Sequence, residues 1–259
     1  MEVGSCKICF GKNQDYHDLN PLPPFYSNQL AETIVMYRNE LKFLINAHQK
    51  NVMANKLSKI CQRDPFSDAD GRYLVSSLYF DDYNQSAIFD KLSGISDRKK
   101  FRVRIYNYQS NVIKLERKIK REYVTEKSHI QISKEDYDTL VNGDVSFLSH
   151  KDDVVAKDFY LYYRTKNLRP RVVVEYRREA FIYKYGDVRI NFDYLLKAGV
   201  FQKDLFSNGY MISAIPHDQI ILEVKFTGYF PDVIRNIIQT DNLQWQSSSK
   251  YVKCCVVGM

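Results

Sequence analysis

Five stretches of this chain alternate charged and apolar residues with a period of two, and each gathers cations, an occasional carboxylate, or both on one face. In YRNELKF, Arg38, Glu40 and Lys42 fall on one side and Tyr37, Asn39, Leu41 and Phe43 on the other. In KLERKIK, Lys114, Glu116, Lys118 and Lys120 oppose Ile113, Leu115 and Ile119, with Arg117 the exception. Arg102 and Arg104 alternate with Phe101, Val103 and Ile105; Arg189, Asn191 and Asp193 with Val188, Ile190 and Phe192; Glu223 and Lys225 with Leu222, Val224 and Phe226. Successive side chains of a strand point to opposite faces, so this period predicts strands with one ionic and one packing face.

A single strand of this kind is an ordinary half-buried strand with a solvated outer face. Five of one design point further, because about eight strands can close into a barrel whose alternate residues face inward. A charged interior is too costly to leave without water, ions or ligand. Arg offers a bidentate fork and Lys a point charge, so phosphate is the partner such clusters fit. Glutamates among them, Glu40, Glu116 and Glu223, would repel phosphate unless a hard divalent cation sat between. The fold expected is α+β: an eight-stranded antiparallel β-barrel tunnel with peripheral helices.

Strands are predicted near 35–45, 72–82, 100–108, 111–123, 171–178, 179–185, 187–195 and 219–227. Helices are predicted over 47–62, where Met53, Leu57 and Ile60 share a face, and over 231–240, where Val233, Ile234, Ile237 and Ile238 do. A third follows Ser133, with Asp136 as a capping-box partner and Gly143 near its end. A fourth, 151–168, carries Val155, Phe159, Tyr162 and Tyr163 at core spacing. Residues 1–33, with Pro21, Pro23 and Pro24 and no sustained period, read as an N-terminal arm, and 34–259 as one tunnel domain.

The net charge of +7 favours anionic partners without the like-charge blocks of a disordered nucleic-acid tail. The aromatics fall on apolar faces and no nucleic-acid motif is present, so no nucleic-acid partner is expected. No secretory signal and no membrane span of roughly 18 apolar residues is seen, which predicts a cytoplasmic location. Five cysteines, two of them adjacent at Cys254 and Cys255, suit a reducing compartment; Cys6 and Cys9 form a C-x-x-C without a second pair and read as free thiols.

From about Met36 to Gly258 the chain resembles the polyphosphate polymerase (VTC) domain of the triphosphate tunnel metalloenzyme superfamily. The residues that carry the resemblance are YRNELKF (37–43), SLYFDD (77–82), KFRVRIY (100–106), LERK (115–118), TEKS (125–128), RPRVVVEYRREAF, VRINFD (188–193), LEVKF (222–226) and SKY (249–251), in that order. The resemblance implies a tunnel in which Lys42, Arg102, Arg104, Lys118, Arg178, Arg189 and Lys225 hold phosphates and Glu223 binds Mn²⁺ or Mg²⁺. It also implies that Ser249 and Lys250 close the site. Arg38, Lys114, Lys127 and Tyr176 are further substrate-binding candidates, and Glu40 and Glu116 further metal ligands. The family pattern places a basic residue two positions before the serine of SKY; here that position is Ser247, so that contact is absent or supplied from elsewhere. Arg178 inside sends Glu175 and Arg177 outward, unless a bulge near Arg177 reverses them. Larger members add a helical domain and a membrane segment that this sequence lacks, so it reads as a free-standing catalytic domain.

The activity implied is transfer of the γ-phosphoryl of ATP to a growing inorganic polyphosphate chain. The attacking phosphate oxygen is already anionic and needs no base, and none of His17, His48, His129, His150 and His217 is expected on the charged faces. Triphosphatase relatives commonly carry Glu-x-Glu-x-Lys, whereas this chain has Arg38-Asn39-Glu40-Leu41-Lys42, which favours the polymerase. The alternatives are an inorganic triphosphatase or polyphosphatase and a non-catalytic polyphosphate-binding module. Tyr79, Tyr106 and Tyr176 lie near the charged strands, with packing their expected role over contact with a nucleotide base.

Overall fold

The computed structural model describes residues 38–122, 124–200, 202–238, 243 and 245–257. The arm expected at 1–33, with Cys6 and Cys9, lies outside the described residues. In chain order the strands are β1 (Arg38–Ile45), β2 (Gln62–Arg63), β3 (Arg72–Asp81), β4 (Arg98–Tyr106), β5 (Gln109–Arg121), β6 (Val124–Ile132), β7 (Arg169–Tyr183), β8 (Val188–Gly199), β9 (Ile212–Ser213) and β10 (Ile220–Thr227). The helices are α1 (Ala47–Leu57), α2 (Ser86–Leu92), α3 (Lys134–Val141), α4 (Ser146–Ser149), α5 (Val154–Thr165), α6 (Asp232–Ile238) and α7 (Lys250–Val256).

Eight long strands form one antiparallel curled sheet in the order β1-β10-β8-β7-β3-β4-β5-β6, with β2 appended to β7 and β9 to β8. Among the described residues no ladder joins β1 to β6, so the sheet is a half-barrel. Its two edges are bridged by side chains, Lys127 Nζ of β6 lying 3.9 Å from Glu40 of β1.

The eight strands are not the eight predicted. The segments 171–178 and 179–185 are one continuous strand, β7, because no turn residue interrupts RPRVVVEYRREAFIY. The strand that makes up the number is β6, which was not predicted as one: only Ile130 and Ile132 at its end alternate, and VTEKSH before them is polar apart from Val124. Helices α2 and α7, seven residues each, are too short to show a period and were also unforeseen. Helix α1 ends at Leu57, so Ile60 lies beyond it and is exposed rather than on its buried face. In α6, Ile234 and Ile238 are buried while Val233 is exposed.

The capping box at Ser133–Asp136 forms as predicted, and a second one, Asn46 with Gln49, starts α1. Asp153 caps α5 by accepting from the backbone N–H groups of Val155 and Ala156. That helix lays Val155, Phe159 and Tyr163 on the convex face of β3, β4 and β5. Phe159 meets Phe80 and Phe101 edge-on at 5.1 and 5.3 Å, contacts worth about 1 kcal/mol each beyond simple burial. A second convex-face cluster joins α1 and α6 to β1, β8 and β10 through Met53, Leu57, Phe192, Leu222 and Ile234.

The concave face is divided. Helix α7 fills one part, packing Tyr251, Cys254 and Cys255 against Val172, Val174, Leu196, Ala198 and Ile221. A bulge in β8 makes this possible. Arg177 pairs with Tyr194 but Glu175 pairs with Lys197, so the extra residue lies in β8, at Leu195 with φ of 51°. Strict alternation from Asp193 would turn Lys197 toward α7; the bulge turns Leu196 and Ala198 there instead. Strand β7 keeps its own phase, so Tyr176 and Arg178 face inward and Arg177 is exposed. The remaining part of the concave face is charged.

Candidate functional site

The register of β4 on β5 stacks cations in rungs along the tunnel: Arg98 opposite Lys120, Lys100 opposite Lys118, Arg102 opposite Glu116 and Arg104 opposite Lys114. Six residues of strand separate the first rung from the last, a rise of about 20 Å. The same layers continue into β6, where Thr125, Lys127 and His129 face Lys120, Lys118 and Glu116. Across the lumen, β1, β10 and β8 contribute Glu40 opposite Lys225, Lys42 opposite Glu223, and Glu223 opposite Asn191.

These side chains border a cavity of about 620 Å³. Fourteen Lys or Arg residues line it against three Glu. Asp193, Asp64, Asp158 and Glu126 behind the lining pair with Arg178, Lys250, Arg189 and Arg117, and the cations that remain still outnumber the glutamates, an excess that suits an anion of several charges. Of the sequence-predicted residues, Lys42, Arg102, Arg104, Lys118, Arg178, Arg189, Lys225, Lys250, Lys127, Ser249, Tyr176, Glu223, Glu40 and Glu116 all border it. Lys114 shares the inward face of β5 but does not reach the cavity, and the side chain of Arg38 lies outside the described residues.

Glu223 is the centre of the acidic part. It is 5% exposed and surrounded by Lys225 at 2.7 Å, Arg178 at 3.4 Å, Lys42 at 3.5 Å and the amide of Asn191 at 3.2 Å. Burial raises its carboxyl, but Lys225, Lys250, a hydrogen bond with Glu40 and Lys42 together hold it well below the usual carboxylate range. Asp193, 1% exposed, accepts from Arg178 Nε at 2.6 Å and Nη2 at 2.8 Å and from Lys250 Nζ at 2.6 Å. Burial works against the Lys250 ammonium, yet Asp193 and Glu223 raise it above the ordinary lysine range. Arg102 forks onto one carboxylate oxygen of Glu116, with Arg104 3.8 Å from the other; burial raises the Glu116 carboxyl, and Arg104 and Arg102 bring it down to about 2. Lys118 and Lys225 are lowered by burial to about 8.

The three glutamates are not one cage. Glu40 and Glu223 stand side by side, whereas Glu116 is committed to Arg102, and among the described residues no three His, Cys, Asp or Glu side chains converge. Two adjacent carboxylates, with phosphate oxygens and water completing the shell, suit Mg²⁺ or Mn²⁺. The donor set therefore fits a hard divalent ion that arrives with its phosphate.

Several functional neighbours were not legible beforehand. His129 was not expected on a charged face, but it sits on the unpredicted strand β6 and borders the cavity beside the Glu116 rung. A base is thus available, and its supposed absence cannot count against hydrolysis. Asp64, buried after β2, binds Arg189 together with the hydroxyl of Tyr73. Of the three tyrosines named from the sequence, Tyr79 accepts from Arg102 at 2.6 Å and stacks on Tyr251 at 4.7 Å, Tyr106 packs on Tyr73, and Tyr176 lies under Arg178 and Lys250. The position of Ser247 is not bare of charge: Lys91 Nζ of α2 donates to its hydroxyl at 2.6 Å.

The VTC domain family model matches residues 37–257. None of the curated protein sequences compared with the chain matches it. Among solved structures, a Hippeastrum protein described as a candidate adenylyl cyclase that reveals a dominant triphosphatase activity aligns over 85% of this chain and 95% of its own. It does so at 10% identity with a TM-score of 0.51, a likeness of fold. A Bacillus halodurans protein described as a candidate adenylate cyclase (77% and 84% covered, 13% identity, TM-score 0.44) is also similar. So is a Pyrococcus horikoshii protein (86% and 100% covered, 14% identity, TM-score 0.43). Among the described residues no helix is long and apolar enough to cross a membrane.

Proposed function

The chain belongs to the VTC domain family, and on that footing we propose that it is a metal-dependent polyphosphate polymerase passing the γ-phosphoryl group of ATP to the end of an inorganic polyphosphate chain. One observation carries this: the rungs of cations run about 20 Å, past the Glu40–Glu223 pair, farther than three phosphates need. A terminal oxygen of the acceptor chain attacks the γ-phosphorus, the bond from that phosphorus to the β,γ-bridging oxygen breaks, and ADP leaves with that oxygen. Such a transfer requires alignment and charge neutralisation more than covalent help.

The residues divide the work by where they are anchored. Arg178 and Lys250, oriented by Asp193, and Arg102, oriented by Glu116 and Tyr79, present fixed donors whose geometry is set before substrate arrives. Lys42, Lys118, Lys127 and Lys225 add point charges around the same space. Glu40 and Glu223 would hold Mn²⁺ or Mg²⁺, which supplies charge neutralisation on the transferring phosphate. The acceptor oxygen is already anionic, so no residue has to remove a proton.

His129 favours a second reading, an inorganic triphosphatase or polyphosphatase, because it could take a proton from an attacking water at the open side of the tunnel. ADP release with and without a short polyphosphate primer, in the presence of Mn²⁺, separates the two. Primer-stimulated ADP with polymer on a gel, lost in Glu223→Ala and Arg102→Ala, supports the polymerase; primer-independent release with orthophosphate supports the hydrolase.

A further inference from the structure

The cations of the tunnel are of two kinds. Arg102 and Arg178 are each locked to a carboxylate. At the Arg98–Lys120 end none is: among the described residues Lys91, Lys100, Lys118 and Lys120 form no ion pair within 4.0 Å. Asp81, Asp82, Asp90 and Asp97 border the adjoining outer cleft and not the tunnel, while Arg98 and Lys120 border both.

Lys91 stands out in this group because it comes from outside the barrel. It is the penultimate residue of α2, and its ammonium is brought to the tunnel wall by one contact, the 2.6 Å hydrogen bond to the hydroxyl of Ser247. Ser247 lies in the segment that leads into α7, whose cap Ser249 and first residue Lys250 belong to the central site. The charged groups facing Lys91 are Arg98, Lys42 and Lys120, all positive, and its ammonium is disfavoured by burial first and by these neighbours next. Lys100, one rung inward, lies over the ring of Tyr251 at 4.7 Å. Asp81 acts on Lys100, but one carboxylate against four cations leaves an excess of positive charge, which is relieved by an anion that brings no metal of its own. A metal-chelated triphosphate has its charge partly cancelled and fits the Glu40–Glu223 part; bare phosphodiester-like units of a polyphosphate chain fit here.

We propose that Lys91, seated by Ser247, forms with Arg98, Lys100 and Lys120 a distinct metal-free subsite for the polyphosphate chain at this end of the tunnel, and that Lys91 sets the protein's preference for long chains over tripolyphosphate. The proposal rests on the tunnel being a polyphosphate site, as argued above, and it assigns the chain and the metal-bound triphosphate to different ends.

The test is direct binding without turnover, using the full chain with inorganic tripolyphosphate and with long-chain inorganic polyphosphate, in the absence of nucleotide. In Lys91→Ala the ratio of the two affinities falls about tenfold toward equality, the effect of one charge-assisted phosphate contact. The salt dependence of long-chain binding falls by about one unit of slope. Moving the cation to the other partner, Lys91→Ala with Ser247→Lys, restores the ratio. An unchanged ratio in Lys91→Ala overturns the proposal, as does an equal loss for both ligands, which would put Lys91 in the triphosphate site. Because no turnover is involved, a wild-type protein that makes no polymer would sink the polymerase reading while leaving this result to be judged on its own.

Discussion

Asp193→Asn is the most informative single change in the tunnel. The carboxylate is 1% exposed and accepts three charge-assisted hydrogen bonds, two from Arg178 and one from Lys250. Asparagine keeps the shape but leaves two cations facing each other, with only Glu223 near by. Breaking a buried ion pair by removing one partner costs about 3–5 kcal/mol. For a chain of this size that corresponds to a fall in melting temperature of roughly 10 °C, read by calorimetry or thermal circular dichroism. Tripolyphosphate replaces the missing negative charge, so its stabilising effect should be larger in the variant than in the wild type. The pH dependence follows with a definite sign. Burial raises the Asp193 carboxyl, but Arg178 and Lys250 bring it below its ordinary value. Its stabilisation is therefore present above about pH 4, the unfolded value, and is lost as pH falls through the lower folded value. Asp193→Asn should flatten that acid limb. A variant that melts with the wild type, or that gains no more from tripolyphosphate, would refute the idea that Asp193 is the anchor of the two cations.

Other outcomes follow from the same geometry. Mn²⁺ should tighten tripolyphosphate binding in the wild type, and Glu223→Gln should reduce that effect by at least about tenfold in calorimetry; an undiminished metal effect would place the ion elsewhere. Burial lowers Lys100 and Lys118 to about 8, so phosphate binding at about pH 8 should take up protons, seen as heats that depend on the buffer, and affinity should decline as pH rises toward about 9. The same two lysines bind fewer protons folded than unfolded between about pH 8 and about 10.4, so the unliganded protein should gain stability over that window. Phe159→Ala, which empties the contact of α5 with Phe80 and Phe101, should cost about 3–5 kcal/mol without changing the chain-length preference.

The alternation of charge and apolarity made β1, β4, β5, β8 and β10 legible, because each has one lumen face and one face under a helix. It failed for β6 for a physical reason. That strand is an edge whose first six residues are polar apart from Val124, and the alternation of Ile130 and Ile132 at its end is too short to mark a strand. Missing it also meant missing His129. Most of the ionic groups that ended up around the cavity could be named in advance, since a lumen position is visible in the period of its own strand. Their partners could not. Asp64 and Lys91 reach the site from the loop after β2 and from a helix, positions that only the tertiary structure brings together. A bulge near Arg177 was named only as a condition that would reverse β7; the bulge lies instead in β8 at Leu195, and sequence pattern does not say which of two paired strands takes an extra residue.

The fate of the γ-phosphoryl group tests the central claim most directly. The protein is incubated with γ-labelled ATP, Mn²⁺ and a short polyphosphate primer, and the label is followed into polymer or orthophosphate. Label accumulating in lengthening polymer, with one ADP released for each phosphoryl transferred, is the predicted result. Label appearing as orthophosphate while the primer stays the same length would contradict it and identify the tunnel as that of a hydrolase.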